Sequence, residues 1–179
     1  MADPTSARRW IGQVIFPALL LGVAIAQLLP LSTMPVRFPM PDLMLCMTCL
    51  WVARRPDLVP VWMVAVAFFL ADIFFQRPPG LMTAIVVLLT EALRRRASTL
   101  RSLSFFAEWT TVGGGIVALM VINRAILALV LADQAPLGPT LFQTAATIAV
   151  YPVVAGLTFL VLGIGRPGLG EVDAFGRPL

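Results

Sequence analysis

There is no histidine and no lysine in this chain of 179 residues. Without histidine, imidazole metal sites, Ser-His nucleophile pairs and histidine proton shuttles are all excluded. Charge of either sign is scarce, at 12% of the sequence, where a soluble domain carries about a quarter. Also missing are a glycine-rich phosphate loop, a zinc motif, paired acids along one helix and a serine nucleophile elbow. The chain therefore reads as a non-enzyme that needs no cofactor.

What fills it instead is apolar. Hydrophobic residues make up 59% of the sequence and the mean hydropathy is +0.93. That composition predicts an all-α integral membrane protein, and spans of ~17–25 residues each would consume nearly all of the length. The basic excess (+4, pI ≈ 10.4) consists only of arginine. The arginines cluster at the ends of apolar runs, which is the pattern of cytoplasmic loops rather than of a phosphate-binding face, so no nucleic-acid partner is expected.

In chain order, a polar leader (1–9) ends in Arg8-Arg9, and the first apolar run covers Trp10 to Leu31. Ala24-Ile25-Ala26 has the look of a signal-peptide cleavage site. The run continues through Leu28 and Leu29, however, and a span serves equally well. Either way the next segment begins outside the cytoplasm. Residues 32–41 hold Pro35, Pro39 and Pro41 and predict an extended loop. The second run, Asp42 to Ala53, is too short to cross unaided at ~1.5 Å per residue. It must borrow Met40 and Pro41, thin the bilayer, or be a helix buried among its neighbours.

Arg54-Arg55-Pro56-Asp57 turns the chain into a third span, Leu58 to Phe75. A Pro78-Pro79-Gly80 connection leads to a fourth, Leu81 to Leu93, closed by Arg94-Arg95-Arg96 in a loop that includes Arg101. The fifth run is Leu103 to Ala132 and the sixth Thr140 to Ile164. A Gly-rich polar tail (165–179) reads as flexible. With both termini inside, ten arginines fall on cytoplasmic segments, Arg37 and Arg77 fall outside, and Arg124 lies within a span. This asymmetry predicts six spans over residues 10–164 in a bacterial cytoplasmic membrane.

Several residues stand out. Asp72, near the outer end of the third span, is either a helix-end carboxylate partnered by Arg77 or a buried partner of Arg124 that locks two helices. Glu91 is placed to pair with Arg94 and Arg95 along one helix. Glu108 is expected to face the 94–101 loop. Cys46 and Cys49 match a redox spacing in letters only, and packing of a short helix accounts for them better. Gly113-Gly114-Gly115 marks either a close helix approach or a break. Pro152 should deprive a carbonyl near residue 148 of its helical partner.

The order of these features resembles the MreD family of bacterial rod shape-determining proteins. The likeness rests on Pro41-Asp42 opening a short Leu/Met-rich second span and on the Arg54-Arg55-Pro56 turn. It continues with Ala71-Asp72, followed eight residues later by Gly80 and an apolar fourth span ending in basic residues. The resemblance covers about residues 10–165. It implies a six-helix membrane bundle similar to the substrate-binding subunits of energy-coupling-factor transporters. It implies a scaffold that binds MreC, in an assembly with MreB, RodA and a class B penicillin-binding transpeptidase, surrounded by membrane lipid. Carried over position by position, Pro41, Asp42, Asp72 and Gly80 would be structural. Asp42 would cap a helix, Asp72 would fix a helix pair and Gly80 would allow the turn. The competing expectation is a substrate-binding membrane subunit of a small-molecule transporter, with an outward pocket drawing on Asp72, Asn123, Arg124 and Gln143. A third class, an intramembrane enzyme, would have to press Asp72 into service with Tyr151 or Asn123.

Overall fold

The computed structural model describes residues 4–29 and 39–162. The first part of the proline-rich loop (32–38), with Arg37, and the tail (165–179), with Arg166 and Arg177, lie outside them. The described residues form six α-helices and no strand: α1 Pro4–Leu28, α2 Leu43–Arg54, α3 Val61–Phe74, α4 Leu81–Ser102, α5 Phe105–Leu129 and α6 Leu137–Leu162.

The short helix is the centre. α2 is about 18 Å long at ~1.5 Å per residue, and ten of its twelve residues are buried, so it is the buried-helix alternative that holds. Its sequence is apolar all round, and a helix of that kind has no face to turn to water. Thr48, its one uncharged polar side chain, donates to the Met44 carbonyl at 2.7 Å. α1, α4, α5 and α6 pack against α2, while α3 lies against α1 and α4, and α5 against α4 and α6. Phe16 of α1 meets Trp51 of α2 with ring centroids 5.3 Å apart.

Several helix limits differ from expectation, each for a local reason. α1 begins at Pro4, so the leader from that residue onward is helical; proline is well suited to a first helical position. α3 starts at Val61 rather than Leu58, because Pro60 biases Val59 away from helical dihedrals and is itself extended (ψ 151°). α4 continues nine residues past Leu93. Leu93, Ala97 and Leu100 remain buried at helical spacing, so the expected 94–101 loop is a helix with an inward face. α6 begins three residues before Thr140, with Pro139 in its first turn.

α5 runs unbroken through its three glycines, so they mark no break, and two of them serve close packing. A Cβ on Gly113 would stand 3.3 Å from Ile148 of α6, and one on Gly115 would stand 2.6 Å from Leu89 of α4. Gly114 faces open space. α5 and α6 are long and apolar enough to cross a membrane; α2 and α3 are apolar but shorter. The outside of the bundle carries many exposed large apolar side chains, among them Trp62, Leu88, Phe106, Leu129, Leu160 and Val161.

Candidate functional site

At one end of the bundle the α3–α4 and α5–α6 connections meet the segment leading into α2. At the opposite end lie the α2–α3 and α4–α5 connections. Each end is held by a buried or half-buried charged side chain.

Asp72 is fully buried in the last turn of α3. Its Oδ2 accepts from the Gly80 N–H (3.0 Å), the Thr83 N–H (3.2 Å) and the Thr83 hydroxyl (2.8 Å). It thus satisfies donors at the start of α4 that have no partner inside that helix. The same residue's carbonyl accepts from the Arg77 N–H at 2.9 Å, and Gln76 donates to the Ile73 carbonyl at 3.2 Å. Those two bonds form a Schellman ending for α3, with Gln76 in the left-handed region (φ 53°). Gly80, at φ 86°, occupies the position where an L side chain would be strained.

Neither expected guanidinium pairs with the Asp72 carboxylate. Arg124 donates instead to the Ala135 carbonyl (2.9 Å) and to the Thr140 hydroxyl (3.3 Å), tying the α5–α6 connection to α6. The Arg77 guanidinium lies over the Phe75 ring at 5.1 Å. Backbone N–H groups outcompete both cations, because a helix start presents several fixed donors at once and needs no long side chain to be ordered.

Asp42 caps α2, its Oδ1 accepting from the Leu45 N–H at 2.9 Å. Its own N–H donates to the Thr147 hydroxyl of α6 (2.9 Å), and the Met40 carbonyl accepts from the Gln143 amide (3.1 Å). The extended residues 39–42, Pro41 among them, are therefore strapped along α6. Proline suits that stretch because it holds the backbone extended.

The opposite end has two further fastenings. Arg94 of α4 donates to the carbonyls of Pro56 and Val59 in the α2–α3 connection. It also lies 3.5 Å from Glu91, and the expected Glu91–Arg95 contact is present at 3.3 Å. Deeper in, Arg54 of α2 pairs with Glu108 of α5 at 3.0 Å, and the Tyr151 hydroxyl of α6 donates to the same Glu108 oxygen at 2.7 Å. All three side chains are buried. Arg54, Thr83 and Tyr151 were not foreseen in these contacts. The part of the Glu108 expectation that concerns the Arg101 side chain lies outside the described residues. Cys46 and Cys49 are buried free thiols within α2.

The clearest open feature is a cavity of about 250 Å³ at the Asp72 end. Asp42, Leu45, Arg77, Leu81, Met82, Ile116, Leu119, Asn123, Gln143, Thr144 and Thr147 are among its lining residues. A second, almost wholly apolar groove of about 270 Å³ runs between α1 and α3, past Leu20, Ala24, Trp62, Val66 and Leu70. Asp72 and the Arg54–Glu108–Tyr151 group line neither. Among the described residues no three His, Cys, Asp or Glu side chains gather as a metal site would require.

Comparison with known protein families, with curated proteins and with solved structures found no match to this chain.

Proposed function

We propose that this chain is a six-span protein of the bacterial cytoplasmic membrane, with both termini inside, and a non-enzymatic scaffold of the cell-elongation machinery in the manner of the MreD family. One observation carries the reading. The residues on which the resemblance rests are the ones that hold the helix connections: Asp42 caps the central helix, Asp72 caps α4, Gly80 supplies the left-handed turn, and Arg54 ties α2 to α5. The exposed apolar side chains around the bundle suit lipid on most sides. The α1–α3 groove suits the apolar membrane helix of a partner such as MreC.

The test is to tag the protein, extract it gently from its own membranes and identify what co-purifies by mass spectrometry. Recovery of MreC, RodA or the transpeptidase is the expected result. Recovery of an energy-coupling ATPase module without any wall-synthesis protein would replace this reading with that of a transporter subunit. The cavity at the Asp72 end is the observation that favours that second reading.

A further inference from the structure

The geometry points to the 250 Å³ cavity as a binding site for a small zwitterion carrying an apolar group, its ammonium toward Asp42 and its anion toward Arg77. The inference stands on the cavity alone and holds under either reading of the protein's role.

The cavity walls differ in chemistry. Leu81, Met82, Ile116 and Leu119 give one apolar side, while Gln143, Thr144 and Thr147 give a polar one. Most of the polar wall is already committed. The Thr147 hydroxyl donates to the Gln143 carbonyl and accepts from Asp42, Thr144 donates to the Thr140 carbonyl, and the Gln143 amide nitrogen donates to Met40. Those bonds make the wall rigid.

Of the described side chains lining the cavity, Asp42, Arg77 and Asn123 keep polar atoms without a hydrogen-bond partner, as does the Gln143 side-chain oxygen. Asp42 spends only Oδ1 on its helix cap. The Arg77 guanidinium meets the Phe75 ring but no hydrogen-bond acceptor or carboxylate. The Asn123 side chain has no hydrogen bond. Asp42 and Arg77 thus line one cavity without forming an ion pair with each other.

That arrangement selects by charge. An anion would satisfy Arg77 and leave Asp42 facing it, and a cation would do the reverse. An acyl chain alone would strand both charges and Asn123 against hydrocarbon. A zwitterion answers both signs, and Leu81, Met82 and Ile116 receive its apolar part. The volume lies below the ~300–1,000 Å³ of pockets for drug-sized ligands. The occupant is therefore a free amino acid or short peptide, or the headgroup of an ethanolamine phospholipid. These share the ammonium-plus-anion chemistry.

The experiment uses the full chain purified in detergent and isothermal titration with L-methionine and with lysophosphatidylethanolamine. The controls are N-acetyl-L-methionine, L-methionine amide and lysophosphatidylglycerol, each of which lacks one of the two charges. At least one zwitterion should bind, with its single-charge counterparts at least tenfold weaker. Binding of methionine assigns a soluble ligand, and binding of the lysolipid alone assigns a membrane one. Asp42→Asn keeps a good helix cap while removing the charge, and Asp42→Asn and Arg77→Gln should each weaken binding at least tenfold. The proposal is overturned if neither zwitterion binds, if the single-charge analogues bind as tightly, or if both variants bind like the wild type. Should a variant fail to fold, the analogue comparison on the wild-type protein decides. None of these outcomes touches the scaffold reading, which stands or falls on the proteins recovered from the membrane.

Discussion

Asp72 spans one connection with four hydrogen bonds. Its carbonyl closes α3, and one carboxylate oxygen opens α4 through Gly80 and Thr83. Removing the carboxylate leaves three donors at a buried helix start without an acceptor, and each unmet buried group costs about 1–3 kcal/mol. Asp72→Ala should therefore destabilise the detergent-solubilised protein by about 3 kcal/mol or more. Thr83→Val, which removes only the hydroxyl, should cost about 1 kcal/mol. Thermal unfolding of the two variants checks the order; equal losses would mean that the backbone bonds contribute little. Under the proposed function, Asp72→Ala should also weaken complex formation or shape maintenance while leaving insertion of the isolated span unchanged. Full activity at normal expression would sink a role for Asp72 in the assembly. The prominence of Asp72 and Gly80 was legible in the sequence, because a carboxylate in an apolar run and a Pro-Pro-Gly turn are both conspicuous. The partner of Asp72 was not, since backbone N–H groups carry no residue identity. Arginine was the visible candidate, and the geometry passes it over.

At the level of helices, Pro152 and Trp109 belong together. A proline in mid-helix has no N–H to give to the carbonyl four residues earlier, and that carbonyl, on Ile148, accepts instead from the Trp109 indole of α5 at 2.8 Å. The defect in α6 is thereby turned into a bond between α5 and α6, close to where Gly113 lets Ile148 approach. Trp109→Phe should cost about 1–2 kcal/mol in the wild-type background. In a Pro152→Ala background the helix can supply its own donor, so the same substitution should cost less, with a coupling of about 1 kcal/mol in a double-mutant cycle. Strict additivity of the two changes in thermal unfolding would show that the indole bond and the proline are independent. The orphan carbonyl was deducible from Pro152 alone, but its donor, 39 residues earlier, was not. The Arg54–Glu108–Tyr151 group escaped for the same reason. Arg54 reads as a helix-end arginine and Tyr151 as the neighbour of a proline until the helices are packed. A buried pair of this kind adds little net stability yet is costly to break, so it fixes which helices meet rather than how strongly they hold.

Over the whole molecule the two ends differ in charge. Arg54, Arg55, Arg94, Arg95 and Arg96 lie at the end with the α2–α3 and α4–α5 connections, whereas Arg77 and Arg124 lie towards the other. Under the proposed function, the arginine-rich end would be the cytoplasmic one. The short central helix fits the same picture. Under the proposed function this helix, at about 18 Å, would span little more than half of a ~30 Å hydrocarbon core, and its capped start and its strap along α6 would sit at membrane depth, shielded by protein rather than exposed to lipid. Both points lead to one expectation about sidedness. With Cys46 and Cys49 replaced by Ala, a single cysteine at Gln76 or Gln134 should react with a membrane-impermeant thiol reagent added to intact spheroplasts. One at Arg96 should react only after the membrane is opened. Labelling of the Arg96 position from outside would invert the proposed topology. Labelling of all three sites from outside would mean that the bundle does not cross as six spans, because a helix set of this connectivity cannot place α3–α4 and α4–α5 connections on the same side while each helix traverses once.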